Sequence, residues 1–312
     1  MTTLVIGGTG FLGQAIVRQL LNNGIEVTIL TRSPAKMKVL FPEVPFIIGD
    51  LLDCEHLDFS VYQQFINCSG EIHNEQLMRQ LHVDSIENLL HKVALIKNAH
   101  WIQMSSVGVY GSMRAGLIRE DHPFAPVGMY EETKAAAELL IKTFCLKNQI
   151  TYNIIRPSNV FGCGMPNRSL LQLISMVKRR LFFYIGKKSD KIVMNYVHVD
   201  DVAALVLSCL TNKATINQDF IISDQLPLPE FIQIISEELG IKNSFYQIPE
   251  GLMRTVTKAT KIFPGFPVTS ARIDALTIRT TYSTEKAKND LNFSSPVGIV
   301  AGLKKYIMSL YP

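Results

Sequence analysis

Through the first half of the chain, short unbroken apolar segments alternate with longer stretches whose apolar residues recur every three or four positions. The short segments predict strands at Thr3–Ile6, Glu26–Leu30, Phe46–Ile48, Phe65–Cys68, Trp101–Ser105 and Tyr152–Arg156. One helix is predicted over Phe11–Leu21, with Leu12, Ile16 and Leu20 on one face. Another runs from Tyr130 to about Leu146, with Ala136, Leu139, Leu140 and Phe144 aligned. Strands that are apolar throughout are buried on both sides, so this alternation predicts an α/β fold with a doubly wound parallel sheet covered by helices.

Beyond residue 157 the alternation loosens. Gly162, Gly164 and Pro166 mark a loop, and Leu170–Arg180 reads as a helix ending in basic residues. Val193–Val199 reads as a return strand, followed by a helix at Asp201–Leu210 and a strand at Phe220–Ile222. The remainder mixes helices with proline turns. The expected division is a dinucleotide-binding domain over 1–160 plus about 192–222, and a smaller lobe over 161–191 plus 223–312. With 312 residues and 47% hydrophobic content, the chain can bury one large core or two cores sharing an interface.

Charge and cysteines narrow the picture further. A net charge of +4, scattered along the chain, is too small to suggest a nucleic-acid partner, so none is expected, and it is compatible with a small anionic substrate or with solubility alone. Cys54, Cys68, Cys145, Cys163 and Cys209 have no metal-ligand spacing, so no metal is expected, and isolated thiols fit a reducing compartment. No signal peptide is evident, and the run Val202–Leu210 is far shorter than the ~20 residues a transmembrane segment requires. A cytoplasmic location is expected.

The first candidate chemistry lies between the first strand and the first helix, in Gly7-Gly8-Thr9-Gly10-Phe11-Leu12-Gly13. Glycines at this spacing let the backbone turn sharply and approach a pyrophosphate without Cβ atoms in the way. The helix then offers free N–H groups to the phosphates. After a strand and before a helix, the motif points to a dinucleotide site. The second strand ends in Leu30-Thr31-Arg32-Ser33, with Lys36 and Lys38 close by and no acid. An acid there would hold a ribose 2′-hydroxyl. Arg32 instead can fork onto a 2′-phosphate, which favours NADP(H) over NAD(H), a solvated basic turn being the alternative.

The second candidate is Tyr130-Glu131-Glu132-Thr133-Lys134, which puts a phenol and an ammonium on one helix face. A free tyrosine, with a pKa of about 10, is a poor proton shuttle, and a neighbouring cation, together with the positive ring of an oxidised nicotinamide, is expected to lower that value. The fifth predicted strand ends in Ser105-Ser106-Val107-Gly108-Val109-Tyr110-Gly111, which brings a hydroxyl to the carboxyl end of the sheet, where open α/β folds bind ligands.

Taken together the chain resembles an extended short-chain dehydrogenase/reductase of the NAD-dependent epimerase/dehydratase family. The likeness rests on the glycine turn, Gly49-Asp50-Leu51, Asn67-Cys68-Ser69-Gly70, Ser105–Gly111, Tyr130–Lys134, Arg156–Gly162 and Tyr196–Ala203, in family order. It implies a Rossmann-type sheet with a C-terminal substrate-binding lobe, and a triad of Ser106, Tyr130 and Lys134. Ser106 is preferred to Ser105 for its distance from Tyr110. The resemblance further implies that Thr9, Phe11 and Leu12 line the cofactor, together with Asp50 and Leu51 near the adenine, and Ser69 and Gly70. Pro157, Ser158, Asn159 and Val160 would border the nicotinamide, and Lys134 would hold its ribose. His82 stands where relatives carry an asparagine, either as a proton relay or as a passive replacement. Homodimerisation is common in the family.

For the reaction, 4,6-dehydratases carry an acid and a base directly after the triad hydroxyl. Here Val107 and Gly108 stand there, which disfavours dehydration. A reductase drawing on NADPH is favoured by Arg32, and an epimerase with tightly bound NAD is the alternative. The expected substrate is a nucleotide-activated sugar, with Val107, Asn167, Arg168, Lys187 and Arg272 as candidate contacts. A hydrophobic or steroid-like ketone remains open. So does a non-catalytic NADP-binding role, which retention of Ser106, Tyr130 and Lys134 disfavours. The stretch Gly251–Phe266 is either a small-lobe helix or a membrane-surface segment.

Overall fold

The computed structural model describes residues 2–186, 191–242, 245–259, 273–274 and 276–311. Its strands are β1 (Thr3–Ile6), β2 (Val27–Thr31), β3 (Phe46–Ile48), β4 (Gln64–Asn67), β5 (His100–Met104), β6 (Ala115–Ile118), β7 (Thr151–Pro157), β8 (Asn159–Phe161), β9 (Tyr184–Ile185), β10 (Val193–His198), β11 (Gln218–Ile222), β12 (Asp224–Pro227), β13 (Gln247–Ile248) and β14 (Arg279–Tyr282). Helices that matter for the site are α1 (Phe11–Asn22), α2 (Pro34–Leu40), α3 (Glu75–Arg79), α4 (Ser85–Val93), α5 (Met129–Lys147), α6 (Ser169–Lys178), α7 (Val199–Thr211) and α8 (Leu228–Glu238).

Seven parallel strands form the main sheet in the order β11-β7-β5-β4-β1-β2-β3. The chain lays down β1, β2 and β3 in one direction, then returns past β1 to place β4, β5 and β7 on its other side. That reversal between β1 and β4 opens a crevice at the carboxyl ends of the strands, the usual ligand position in such sheets. Both faces are buried, as the apolar segments predict. Val5 packs with Ile16, Val17, Leu20 and α7 on one face. Leu4 and Ile6 face the opposite way, toward Leu89, Leu90 and Ile141 of α4 and α5. Each such fully buried aliphatic side chain contributes roughly 1.5–3 kcal/mol relative to exposure.

One assignment differs from the sequence reading. Val193–His198 does not join the main sheet; β10 pairs with β8 in parallel and with β12 antiparallel in a separate sheet. Of the segment 192–222, only β11 enters the main sheet, while α7 packs against α1 on its face. A buried strand reads the same in sequence whichever neighbour it meets, so the pattern could not decide this. The separate sheet packs with α6, α8 and the C-terminal helix Gly298–Leu310 around Leu170, Ile174, Phe231 and Leu303, giving the smaller lobe a core of its own.

Candidate active site

The crevice runs between the main sheet and the smaller lobe in three connected parts. A central cavity of about 950 Å³ reaches from Phe11 and Leu12 to Met165–Ser169 and Tyr196. It shares Cys68, Ser69 and Gly70 with a 270 Å³ pocket lined by Thr31, Arg32, Asp50 and Leu51. At its other end it shares Ser106, Tyr130, Ser158 and Asn159 with a 370 Å³ pocket lined by Val107, Glu131, Met194, Ile278 and Tyr282.

The floor of the first two parts is the glycine turn. Gly7 has φ of 77°, and a Cβ there would lie 2.9 Å from the Ser69 backbone nitrogen. A Cβ on Gly13 would fall 2.2 Å from the Gly7 carbonyl oxygen, so only glycine lets α1 start this close to β1. Gly10 precedes α1 without a side-chain cap, and the first turn has no acid. The first N–H groups of that helix therefore remain for an anion. This is a cradle shaped for a dinucleotide diphosphate, and the residues present fit such a group.

At the 270 Å³ end, Arg32 lies 3.7 Å from Asp50 with both side chains well exposed. Thr31 and Ser33 each accept a backbone N–H, from Ser33 at 3.1 Å and Lys36 at 3.4 Å, which leaves both O–H groups free to donate.

The central part brings together the residues expected to carry the chemistry. Tyr130 is the second residue of α5, and Lys134 lies one turn on, its Nζ 5.8 Å from the Tyr130 ring centre. Lys134 is buried and donates to the Met104 carbonyl at 3.2 Å. Of the two serines, Ser105 turns its hydroxyl to the buried Glu138 carboxylate. Ser106 lines both the cavity and the adjoining pocket, its Oγ accepting the Gly108 N–H at 3.0 Å.

The Lys134 cation by itself does not lower the phenol. Burial first, and then the Glu131 carboxylate, push Tyr130 up to about 12, against a smaller downward pull from the Ser106 hydroxyl. Lys134 is itself brought down to about 8 by burial, opposed by Cys68 and Glu138. The ammonium turned toward Met104 does not offset the desolvation of the phenol. At neutral pH the pair is a neutral phenol beside a largely protonated amine.

Behind the site lies a charge cluster that motif reading did not reveal. Arg156 donates from Nε to both oxygens of Glu138 at 3.0 and 3.1 Å, from one terminal nitrogen to the Tyr110 hydroxyl at 2.7 Å, and from the other to Asp219 at 2.7 Å. Arg156 and Glu138 side chains are 0% exposed. Burial disfavours the guanidinium charge, but bonds to Glu138 outweigh it and hold Arg156 above its ordinary value.

Glu131 was also missed. Its side chain covers Gly108, where an added Cβ would meet Glu131 Cγ at 2.9 Å, and it lines the pocket beside Ser106 and Tyr130. Its position next to Tyr130 on a helix was the available signal. Among the predicted substrate contacts, Val107 lines the same pocket, and Asn167 and Arg168 line the central cavity. Asn167 accepts the N–H of Ser169 at 2.8 Å at the start of α6. Lys187 and Arg272 lie outside the described residues, as does 260–266 of the proposed surface segment. Among the described residues no cluster of three His, Cys, Asp or Glu is placed to hold a metal, and no helix is long and apolar enough to cross a membrane.

Comparison with known proteins agrees with this geometry. The sequence profile of the NAD dependent epimerase/dehydratase family matches residues 3–223. A dTDP-6-deoxy-L-talose 4-dehydrogenase (NAD(P)(+)) of Kitasatospora kifunensis is 31% identical over 183 residues, 55% of this chain and 56% of that protein, so the match spans little more than half of that relative's length. A decarboxylating sterol-4-alpha-carboxylate 3-dehydrogenase of Mus musculus is 27% identical across 98% of this chain and 90% of its own. Among solved structures, the UDP-glucuronic acid 4-epimerase from Bacillus cereus in complex with NAD superimposes with a TM-score of 0.75 at 21% identity, over 100% of this chain and 98% of that one.

Proposed function

Because the chain belongs to the NAD-dependent epimerase/dehydratase family, we propose that it is an oxidoreductase that uses NADPH to reduce a keto group, most simply on a nucleotide-activated sugar. The observation that carries this reading is the meeting of Ser106, Tyr130 and Lys134 where the central cavity opens into the 370 Å³ pocket.

In this reading the glycine turn and the start of α1 would hold the diphosphate, Asp50 and Leu51 would border the adenine, and Pro157–Val160 would border the nicotinamide end. A bound nicotinamide would supply the hydride. Ser106 donates a hydrogen bond to the substrate carbonyl oxygen and orients it toward Tyr130. The phenol, kept protonated by burial and by Glu131, donates its proton to that oxygen as the alcohol forms. Lys134 keeps a positive charge near the phenolate left behind and would hold the nicotinamide ribose. At neutral pH the phenol is in its protonated form, the form from which a reduction starts, and the reverse oxidation would use the same groups.

The Kitasatospora relative is named for a nucleotide-sugar dehydrogenase that takes either nicotinamide, which supports the substrate class. Preference for NADP(H) rests on Arg32. A hydrophobic ketone is the second reading. Val107, Met194, Ile278 and Tyr282 around the pocket favour it, as does the near full-length match to a sterol dehydrogenase. A cytoplasmic homodimer is the setting we propose for either.

The test incubates purified protein with NADPH or NADH and a panel of nucleotide-linked 4-keto sugars and hydrophobic ketones. The expected result is NADPH oxidation matched one-to-one by alcohol formed from a sugar. Isomer formation without added cofactor would overturn the reductase reading in favour of an epimerase, and reduction of the hydrophobic ketones alone would overturn the sugar.

A further inference from the structure

His82 lies at the junction of the cofactor-lining loop and the helix that carries Tyr130. A π-helical turn, Gln80–Asp84, interrupts the run from α3 to α4 and turns His82 inward, where it is 1% exposed. Such turns insert a residue at the expense of regular packing and recur at functional positions.

Both ring nitrogens are engaged. The Glu71 backbone N–H points at Nε2 at 2.9 Å, and because a backbone amide can only donate, Nε2 must accept. Nδ1 then carries the proton and donates to Thr133 Oγ1 at 2.8 Å. The Thr133 hydroxyl passes its own hydrogen to the carbonyl of Met129 at 2.8 Å or of Tyr130 at 3.0 Å. Burial, reinforced by the charge of Lys134, brings the imidazole down to about 3, so it stays neutral across the working range. A neutral ring with its proton committed to Thr133 does not relay protons to Lys134.

The loop at the other end of this chain of bonds is itself stiff. One oxygen of the Glu71 carboxylate accepts the N–H groups of Ile72, His73 and Asn74 at 2.8, 2.7 and 3.2 Å. Just before it, Gly70 fits between His82 and Lys134. A Cβ there would lie 3.3 Å from Nε2 and 3.5 Å from Nζ. The His82 ring also stands edge-on to Tyr130, with centroids 5.8 Å apart.

We infer that His82 is a positioning residue that latches the Ser69–Asn74 loop to the Tyr130 helix through a single fixed tautomer, setting the gap in which the dinucleotide sits. The inference rests on the dinucleotide reading above for its purpose, but its geometry can be tested without a substrate. Nitrogen-15 histidine NMR of the full chain should show His82 neutral and protonated on Nδ1, unchanged between pH 5 and 8. An imidazolium or an Nε2–H form would overturn the latch.

Two variants divide its halves. The amide oxygen in His82→Gln can replace Nε2 as acceptor for Glu71, whereas the amide nitrogen in His82→Asn can replace Nδ1 as donor to Thr133. Because the latch needs both bonds, each variant should raise the Kd for NADPH, the fluorescent probe, about tenfold, whichever of the two loses more in unfolding midpoint. If Kd instead follows the loss of midpoint in both variants, or moves in neither, His82 is a packing residue only. Failure of the unaltered protein to bind NADPH or NADH would refute the dinucleotide reading instead, and the tautomer measurement would then decide the latch by itself.

Discussion

The two ends of the crevice are built on opposite electrostatic principles. Behind the proton-handling end, Arg156 and Glu138 are 0% exposed, joined by paired hydrogen bonds and tied to Ser105, Tyr110 and Asp219. At the adenosine end, Arg32 and Asp50 are 69% and 40% exposed, face each other at 3.7 Å, and are open to solvent and salt. A buried, multiply bonded ion cluster admits one arrangement, because any other leaves a charge without a partner. An exposed pair contributes about 0–1 kcal/mol and is readily exchanged for another. On the proposed reading, the reaction is anchored to a part of the molecule that cannot shift, and cofactor choice to a part that can.

The contrast can be broken at the buried end first. Tyr130→Phe removes only the phenolic hydroxyl, so turnover should fall by about 10²–10⁴-fold while NADPH affinity and the unfolding midpoint stay near those of the unaltered protein. Equal turnover by the variant would remove Tyr130 from the mechanism. Arg156→Met touches no cavity-lining atom, yet it leaves the buried Glu138 carboxylate without its cation, while Asp219 keeps Lys142. It should destabilise the chain by about 3–5 kcal/mol, read by urea denaturation. A loss below about 1 kcal/mol would mean that the cluster does not hold the site together.

What the sequence disclosed follows the same division between local and distant contacts. The glycine turn and the Tyr130/Lys134 pair are legible because their geometry is set within one turn or one helix. The main sheet is legible because its strands are apolar on both faces. The Arg156 cluster joins residues 18 and 63 positions apart, and no periodicity marks such pairs. The upward displacement of Tyr130 was missed for a related reason, since it arises from burial, which spacing alone does not report. Likewise Glu131 could be placed on a helix but not above Gly108, and β10 could be recognised as a strand but not assigned to its sheet.

The exposed end gives the smallest expected effect. Arg32→Asp exchanges a group suited to a 2′-phosphate for one suited to a ribose hydroxyl. No buried contact is lost, so stability should change by no more than about 0.5 kcal/mol. NADPH affinity should fall about tenfold and NADH affinity should hold or rise, measured by fluorescence titration of each. Raising the salt concentration should weaken NADPH binding in the unaltered protein more than in the variant, because an exposed cation–phosphate contact is screened over about 8–10 Å at ordinary ionic strength. If NADPH binding were indifferent to both the substitution and the salt, the 2′-phosphate would not lie at Arg32. The adenosine pocket would then owe its selectivity to Lys36 or to backbone groups, and the proposed division between a fixed chemical end and an adjustable cofactor end would have to be redrawn around them.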